Sequence, residues 1–170
     1  EGHEVGVWIR SQAPVDELVA EGAVARETLA DAFAAPVVIS MLANDAAALD
    51  LFSEELLSGA SASVHVNMAS LSLDAVRELE ARHRAAGVGY LSGPVLGRPP
   101  VDAAGQLNII AAGDPKLIEH VQPLLDVLGK RTWIMGTEPA KASLVKIGVN
   151  FNIIHAIEAL GESIALVEAG

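Results

Sequence analysis

Cysteine is absent from this 170-residue chain, which excludes a disulfide framework and a thiolate-bound metal and is compatible with a reducing, cytoplasmic setting. Positive charge is scarce. Eleven Lys and Arg stand against 22 Asp and Glu, for a net charge of −11, so polyanions are repelled at long range. Nucleic acid and anionic membrane are therefore not expected as partners, and any anionic ligand must be held by local positive charge. Uninterrupted apolar runs are also lacking. Lys146, Asn150, Glu158 and Glu162 break the most apolar stretch, and the opening EGHEVGVWIR carries charge where a signal peptide is apolar. Neither a membrane span nor secretion is expected. His3, His65, His83, His120 and His155 lack metal-ligand spacing, so no metal site is expected and the five read as separate structural or surface histidines. The sequence has no G-x-S-x-G, no P-loop, no internal repeat and no glycine-rich dinucleotide fingerprint. GVGYLSG, with glycines at 87, 89 and 93, precedes a strand pattern and misses that fingerprint.

What is present is a chain 51% hydrophobic, long enough to bury one sizeable core. HEVGVWIR, PVVISML, ASVHVNM, VGYLSG, QLNIIAAG and RTWIMG read as strands. Between them DELVAEG, TLADAFAA, AAALDLF, LDAVRELEARHRAAG and KLIEHVQPLLDVLG read as helices. Asn44 or Asp45, Ser72, and Asp114 with Pro115 are the start signals, and Gly87 is a stop. Strands alternating with helices predict an α/β fold, a doubly wound Rossmann-like, mostly parallel sheet. From Ala142 to Ala169 the pattern is helical and apolar nearly all round, as in a helix buried on several sides. The expected division is therefore 1–141 for the alternating elements and 142–170 for a long helix that leads into a second domain or against a subunit partner. The pattern opens within a few residues of Glu1 and closes in mid-helix at Gly170, so a longer parent protein is expected.

In a doubly wound fold, ligands lie beyond the carboxyl ends of the strands. Five clusters fall there. Arg10 and Ser11 follow the first strand pattern, and no Asp or Glu lies between Gly6 and Val15. Arginine there suits a 2'-phosphate, where an acidic residue would hold ribose hydroxyls; a solvated strand-end arginine is the plain alternative. Met41 and Leu42 end a buried strand and offer main-chain contacts to a cofactor. Ser70, in NMAS, either bonds a ligand or helps begin the next helix. SGPVLGRPP combines backbone access at Gly93 and Gly97 with the carboxylate-matching fork of Arg98, stiffened by prolines. Lys146 and Asn150 are four apart and share one helix face. That face is either the exposed start of the helix or a place where an ammonium polarises a substrate oxygen beside an orienting amide.

Taken together and in order, these segments resemble the beta-hydroxyacid dehydrogenase family, which includes 3-hydroxyisobutyrate dehydrogenase and glyoxylate and succinic semialdehyde reductases. GHEVGVWIRS is similar to the family's second strand with its N-R-T type ending, and VVISML to its fourth. NMASLSLDAVREL resembles the substrate segment V-D-M-S-T-x-S-P, SGPVLGRPP the loop D-A-P-V-S-G-G, and KIGVN the catalytic K-x-x-x-N. The resemblance implies hydride transfer between a nicotinamide, NADP in preference to NAD, and a small hydroxy acid, oxo acid or semialdehyde. Lys146 would be the acid/base and Asn150 would orient the substrate. Arg10 and Ser11, with Met41, Leu42 and Ser70, would bind cofactor; Ser70, Gly93, Gly97 and Arg98 would hold the substrate carboxylate. A homodimer through a further helical domain is implied as well. Leu96 and Arg98 depart from the loop pattern, and Ala69 and Leu73 from the substrate segment. The family's first strand, glycine-rich turn and first helix have no counterpart here. Imine reductases share the architecture but typically lack the lysine. A non-catalytic binding or oligomerisation module is the alternative of another class.

Overall fold

The computed structural model describes residues 2–97 and 104–170, with Gln12 described by its backbone alone. Arg98, the expected carboxylate fork, lies outside the described residues. Among the described residues, five helix starts are marked by a side-chain cap. Asn44 accepts from the Ala47 amide to open α3 (Asp45–Leu51), and Ser72 accepts from Ala75 to open α5 (Leu73–Ala85). Asp114 accepts from Lys116 to open α6 (Pro115–Leu128), whose first residue is proline. The chain leaves α5 through Gly87 at φ +75, a left-handed stop that glycine takes at no steric cost. Two further short helices, α2 (Leu29–Ala32) and α4 (Glu54–Ser58), are capped by Thr28 and Ser53.

The strands β3 (Val37–Ser40), β4 (Val64–Asn67) and β5 (Gly89–Ser92) form a parallel sheet in that order. All four residues of β4 are buried, because helices cover both faces. Val64 and Val66 meet Leu91, Ile109 and the α6 residues Ile118, Val121 and Leu125. On the other face Phe33, Phe52 and Leu57 pack with Val76 and Leu79 of α5 and Tyr90 of β5. Each such side chain contributes roughly 1.5–3 kcal/mol by leaving water. A short parallel pair, β1 (Gly6–Val7) with β2 (Val24–Ala25), carries α1 (Gln12–Ala20) between its strands. At the other end β7 (Leu107–Ala111) pairs parallel with β8 (Gly129–Ile134) and antiparallel with β6 (Val95–Leu96). A reciprocal amide bridge between Ser92 and Ala112 ties β5 to this group.

The expected α/β, mostly parallel, Rossmann-like fold with a long terminal helix is what forms. The first strand is far shorter than HEVGVWIR suggests. β2, α4 and the antiparallel β6 went unread, since two-residue strands and one-turn helices carry too little periodicity to register. The last helix, α7 (Ala140–Glu168), buries only its beginning: Ala140, Ala142 and Ser143. From Phe151 onward it is exposed, with Phe151 60% and Leu166 77% exposed. By length and composition α7 is long and apolar enough to cross a membrane, at a mean hydropathy of 1.2. Its first turn is nevertheless built into the sheet, Ala142 packing with Ile110 and Ala112.

Candidate active site

The register of the central sheet places Ser40, Asn67 and Ser92 side by side at the carboxyl ends of β3, β4 and β5. This polar row is the rim from which the candidate residues project.

On the β3 side, the rim borders a cleft of about 710 Å³ that brings Arg10, Ser40, Met41 and Leu42 together with the apolar Val5, Val7, Val37 and Ile39. Met41 is 60% exposed, whereas Leu42 rests on the core. A second cavity of about 350 Å³ is lined by Trp8, Arg10 and Arg26. Arg26 was not foreseen. It lies on β1 where a Cβ on Gly6 would come within 2.5 Å of its Nε, and it pairs with Glu4 at 2.9 Å. The sequence signal was the bare Gly6, which lets a neighbouring side chain cross the strand. Ser11 begins α1 with no side-chain cap bond. Arg10 and Arg26 bring local positive charge to this cavity in a chain whose net charge is −11, with the Glu27 carboxylate on the same lining.

On the β5 side, Lys146 donates from Nζ to the Val95 carbonyl at 2.7 Å, so α7 and β6 meet at the predicted acid/base. Partial burial lowers its pKa from the ordinary lysine value. Ser143, one turn earlier, lies 3.4 Å from Ser92, and both hydroxyls are buried. This contact, unseen in the sequence, seats the helix on the rim. Asn150 is exposed one turn beyond Lys146. Gly97 is exposed two residues beyond Val95, and so belongs to the lysine's surroundings. Gly93 is buried: its amide donates to the Asn67 carbonyl at 2.8 Å, and a Cβ there would come within 3.3 Å of Val66. Its tight packing against β4 accounts for glycine without any ligand. Ser70 is exposed, and since Ser72 caps α5, Ser70 is spared that duty. Arg10, Met41 and Leu42 thus share one cleft, while Lys146 and Gly97 gather at α7 and β6.

The histidine expectation needs correcting. His65 and His83 are not separate: Nδ1 of His65 lies 2.8 Å from Nε2 of His83, and both are fully buried. They face each other because β4 turns odd-numbered residues toward α5, where His83 projects inward. Burial is the main cause of lowered pKa in both, and His83 falls to about 4. Among the described residues no group of His, Asp or Glu could hold a metal ion.

Comparison with known proteins bears on the fold that carries these residues. Residues 1–136 match the NAD binding domain of 6-phosphogluconate dehydrogenase. The chain is 38% identical over 172 residues to the uncharacterized oxidoreductase YfjR of Bacillus subtilis, covering 98% of this chain and 60% of that protein. It is 29% identical to glyoxylate/succinic semialdehyde reductase 1 of Arabidopsis thaliana, covering 98% of this chain and 59% of that one. The Mycobacterium tuberculosis 3-hydroxyisobutyrate dehydrogenase structure with L-serine superimposes with a TM-score of 0.92 at 21% identity, covering 98% of this chain and 57% of that one. The chain thus spans about 60% of the length of these two curated relatives.

Proposed function

The chain belongs to the NAD-binding domain family of 6-phosphogluconate dehydrogenase, among the NAD(P)-binding oxidoreductases of the beta-hydroxyacid dehydrogenase group, and on that premise we propose that it reduces or oxidises a small hydroxy acid, oxo acid or semialdehyde with NADP in preference to NAD. The observation that carries the proposal is Lys146, partly buried and held by the Val95 carbonyl at 2.7 Å where β6 leads into Gly97. An ammonium has three donors. One is spent on Val95, which leaves two for a substrate oxygen and the Asn150 amide. Burial lowers the lysine's pKa toward working pH, which favours proton transfer in either direction. In reduction, Lys146 gives its proton to the oxygen of the former carbonyl; in oxidation it removes the hydroxyl proton. Asn150 orients the substrate, and Ser70 with the backbone at Gly97 and the guanidinium of Arg98 holds its carboxylate; the Gly93 amide, already given to Asn67, is not among these donors. The nicotinamide, when bound, supplies or accepts the hydride at the same substrate carbon.

Arg10 and Ser11 take the 2'-phosphate, with Arg26 as a second cation beside the same cavity. Met41 and Leu42 lie along the cofactor through their main chain, and Ser70 reaches it from β4. Residues 1–141 form the nucleotide-binding unit and 142–170 the helix toward a further helical domain. The exposed apolar face of α7 supports a homodimer made through that domain. The protein works in the cytoplasm, bound to neither nucleic acid nor membrane.

Calorimetric titration with NADPH and NADH, on the native chain and on Arg10→Ala, tests the cofactor assignment. Tighter NADPH binding that weakens in the variant supports it; equal affinity for both, unchanged in Arg10→Ala, refutes the preference. Carbonyl reduction that survives Lys146→Ala would favour an imine reductase, and binding of neither nucleotide would favour a non-catalytic module.

A further inference from the structure

Ser40 carries information that neither its residue type nor its exposure reveals. It ends β3, lines the 710 Å³ cleft beside Met41 and Leu42, and is tied behind to a buried chain of hydrogen bonds. The Leu79 carbonyl lies 2.7 Å from Nδ1 of His83, and a carbonyl can only accept, so that nitrogen carries a proton. A neutral imidazole has one N–H, which leaves Nε2 of His83 bare to accept from Nδ1 of His65, 2.8 Å away. His65 is thereby bare at Nε2, 2.8 Å from the Ser40 hydroxyl, and Ser40 must donate to it. Every bond in the chain runs in one direction, fixed by a backbone oxygen of α5.

The neutral state that this logic requires is enforced by surroundings. Phe33 and Phe52 stack edge-on against His65. The charged groups near the pair act against protonation or stand apart from it. Arg82 disfavours a proton on His83 and is itself turned to Glu78 and to the carbonyls of Leu49 and Phe52. Glu80 acts on Tyr90, whose hydroxyl accepts from the Asn67 amide at 3.1 Å. Asn67 cannot recapture the Ser40 proton. Its Oδ1 accepts from the Ala69 amide at 3.1 Å and stands 3.4 Å from Ser40, a weaker acceptor than the imidazole.

We propose that Ser40 is a ligand-binding residue locked as an acceptor, presenting lone pairs alone to the cleft and so recognising an O–H or N–H donor on the nucleotide, a ribose hydroxyl rather than a phosphate. The assignment rests on the dinucleotide reading above and gives that site a sugar-recognising group between Arg10 and the β4 turn. A freely rotating serine would serve donor and acceptor alike; this one discriminates, because its proton is committed inside the protein.

The lock is tested without ligand. Nitrogen-15 spectra of the imidazoles at pH 7.5 are expected to show His65 and His83 both protonated at Nδ1 and bare at Nε2, the less common form in solution. A proton on Nε2 of either ring overturns the proposal. The binding role is tested by titrating the native chain, Ser40→Ala and Ser40→Thr with NADPH. Loss of one neutral hydrogen bond predicts roughly two- to tenfold weaker binding in the alanine variant, with recovery in threonine, which keeps the hydroxyl. NADPH bound equally well by Ser40→Ala overturns the role while leaving the oxidoreductase reading intact. Failure of the native chain to bind NADPH at all removes that reading, and this one with it.

Discussion

Mild acid should destabilise this protein through its buried histidine pair before most carboxylates are protonated. His83 is fully buried, and its pKa drops from 6.5 to about 4, chiefly because the interior disfavours the charged ring. Between those two values the unfolded chain binds a proton that the folded chain refuses. Stability is therefore complete above about pH 6.5 and is lost as pH falls toward 4. The linkage relation gives about 1.4 kcal/mol lost by pH 5.5 and about 2.5 kcal/mol by pH 4.5 from His83 alone, and His65 moves in the same direction. Against a typical total of 5–15 kcal/mol this is a large fraction. Urea unfolding at pH 7.5, 6.5, 5.5 and 4.5 reads it directly. The double variant His65→Phe, His83→Leu separates it from other titrations, since an apolar pair has nothing to protonate. Stability that stays level from pH 7.5 to 4.5, or a decline just as steep in the double variant, would refute the reasoning.

Three further outcomes are expected. Lys146→Met removes an ammonium that burial already disfavours, so urea stability should change by no more than about 1 kcal/mol, while turnover of a carbonyl substrate falls about 100-fold or more; a stable, fully active variant would exclude the lysine from the chemistry. Gly113→Ala places a Cβ 2.4 Å from Leu91 at a φ of +147 and should cost roughly 2–4 kcal/mol in urea unfolding, whereas Gly148→Ala, with nothing within 4 Å, should be neutral or slightly stabilising. Ser72→Ala removes the α5 cap and should lower stability by about 1 kcal/mol without altering nucleotide affinity.

The fold was legible where periodicity ran long enough. ASVHVNM and the α5 and α6 patterns each bury a continuous face, whereas PVVISML, expected to be buried, forms β3 with Ile39 41% exposed; Asn44, Ser72 and Asp114 mark helix starts by chemistry that does not depend on the rest of the chain. That Lys146 and Asn150 lie on one long helix was legible for the same reason, since the apolar pattern around them is helical. What the sequence hid is contact across elements. The pairing of His65 with His83, separated by 18 residues, depends on the facing of β4 and α5. Arg26 crosses β1 only because position 6 is glycine. β6 is two residues inside a proline-rich loop, and its pairing with β7 supplies what its own pattern lacks.

The rim shows how these hidden contacts organise the site. Ser40, Asn67 and Ser92 stand in register on neighbouring strands, yet each is tied to a different support. Ser40 is held by the histidine pair and so by α5, Asn67 by Tyr90 and by the Ala69 turn that leads to Ser70, and Ser92 by Ser143 of the helix that carries Lys146. A buried hydroxyl or amide is costly unless satisfied, so a polar row at the end of a packed sheet can exist only with such backing. That backing fixes how each turn leaves the sheet: the turn after β3, the turn after β4 and the helix that brings Lys146 to β6. The buried polar residues His65, Asn67, His83, Ser92 and Ser143 are consequently the ones that set the geometry of those most available to ligand.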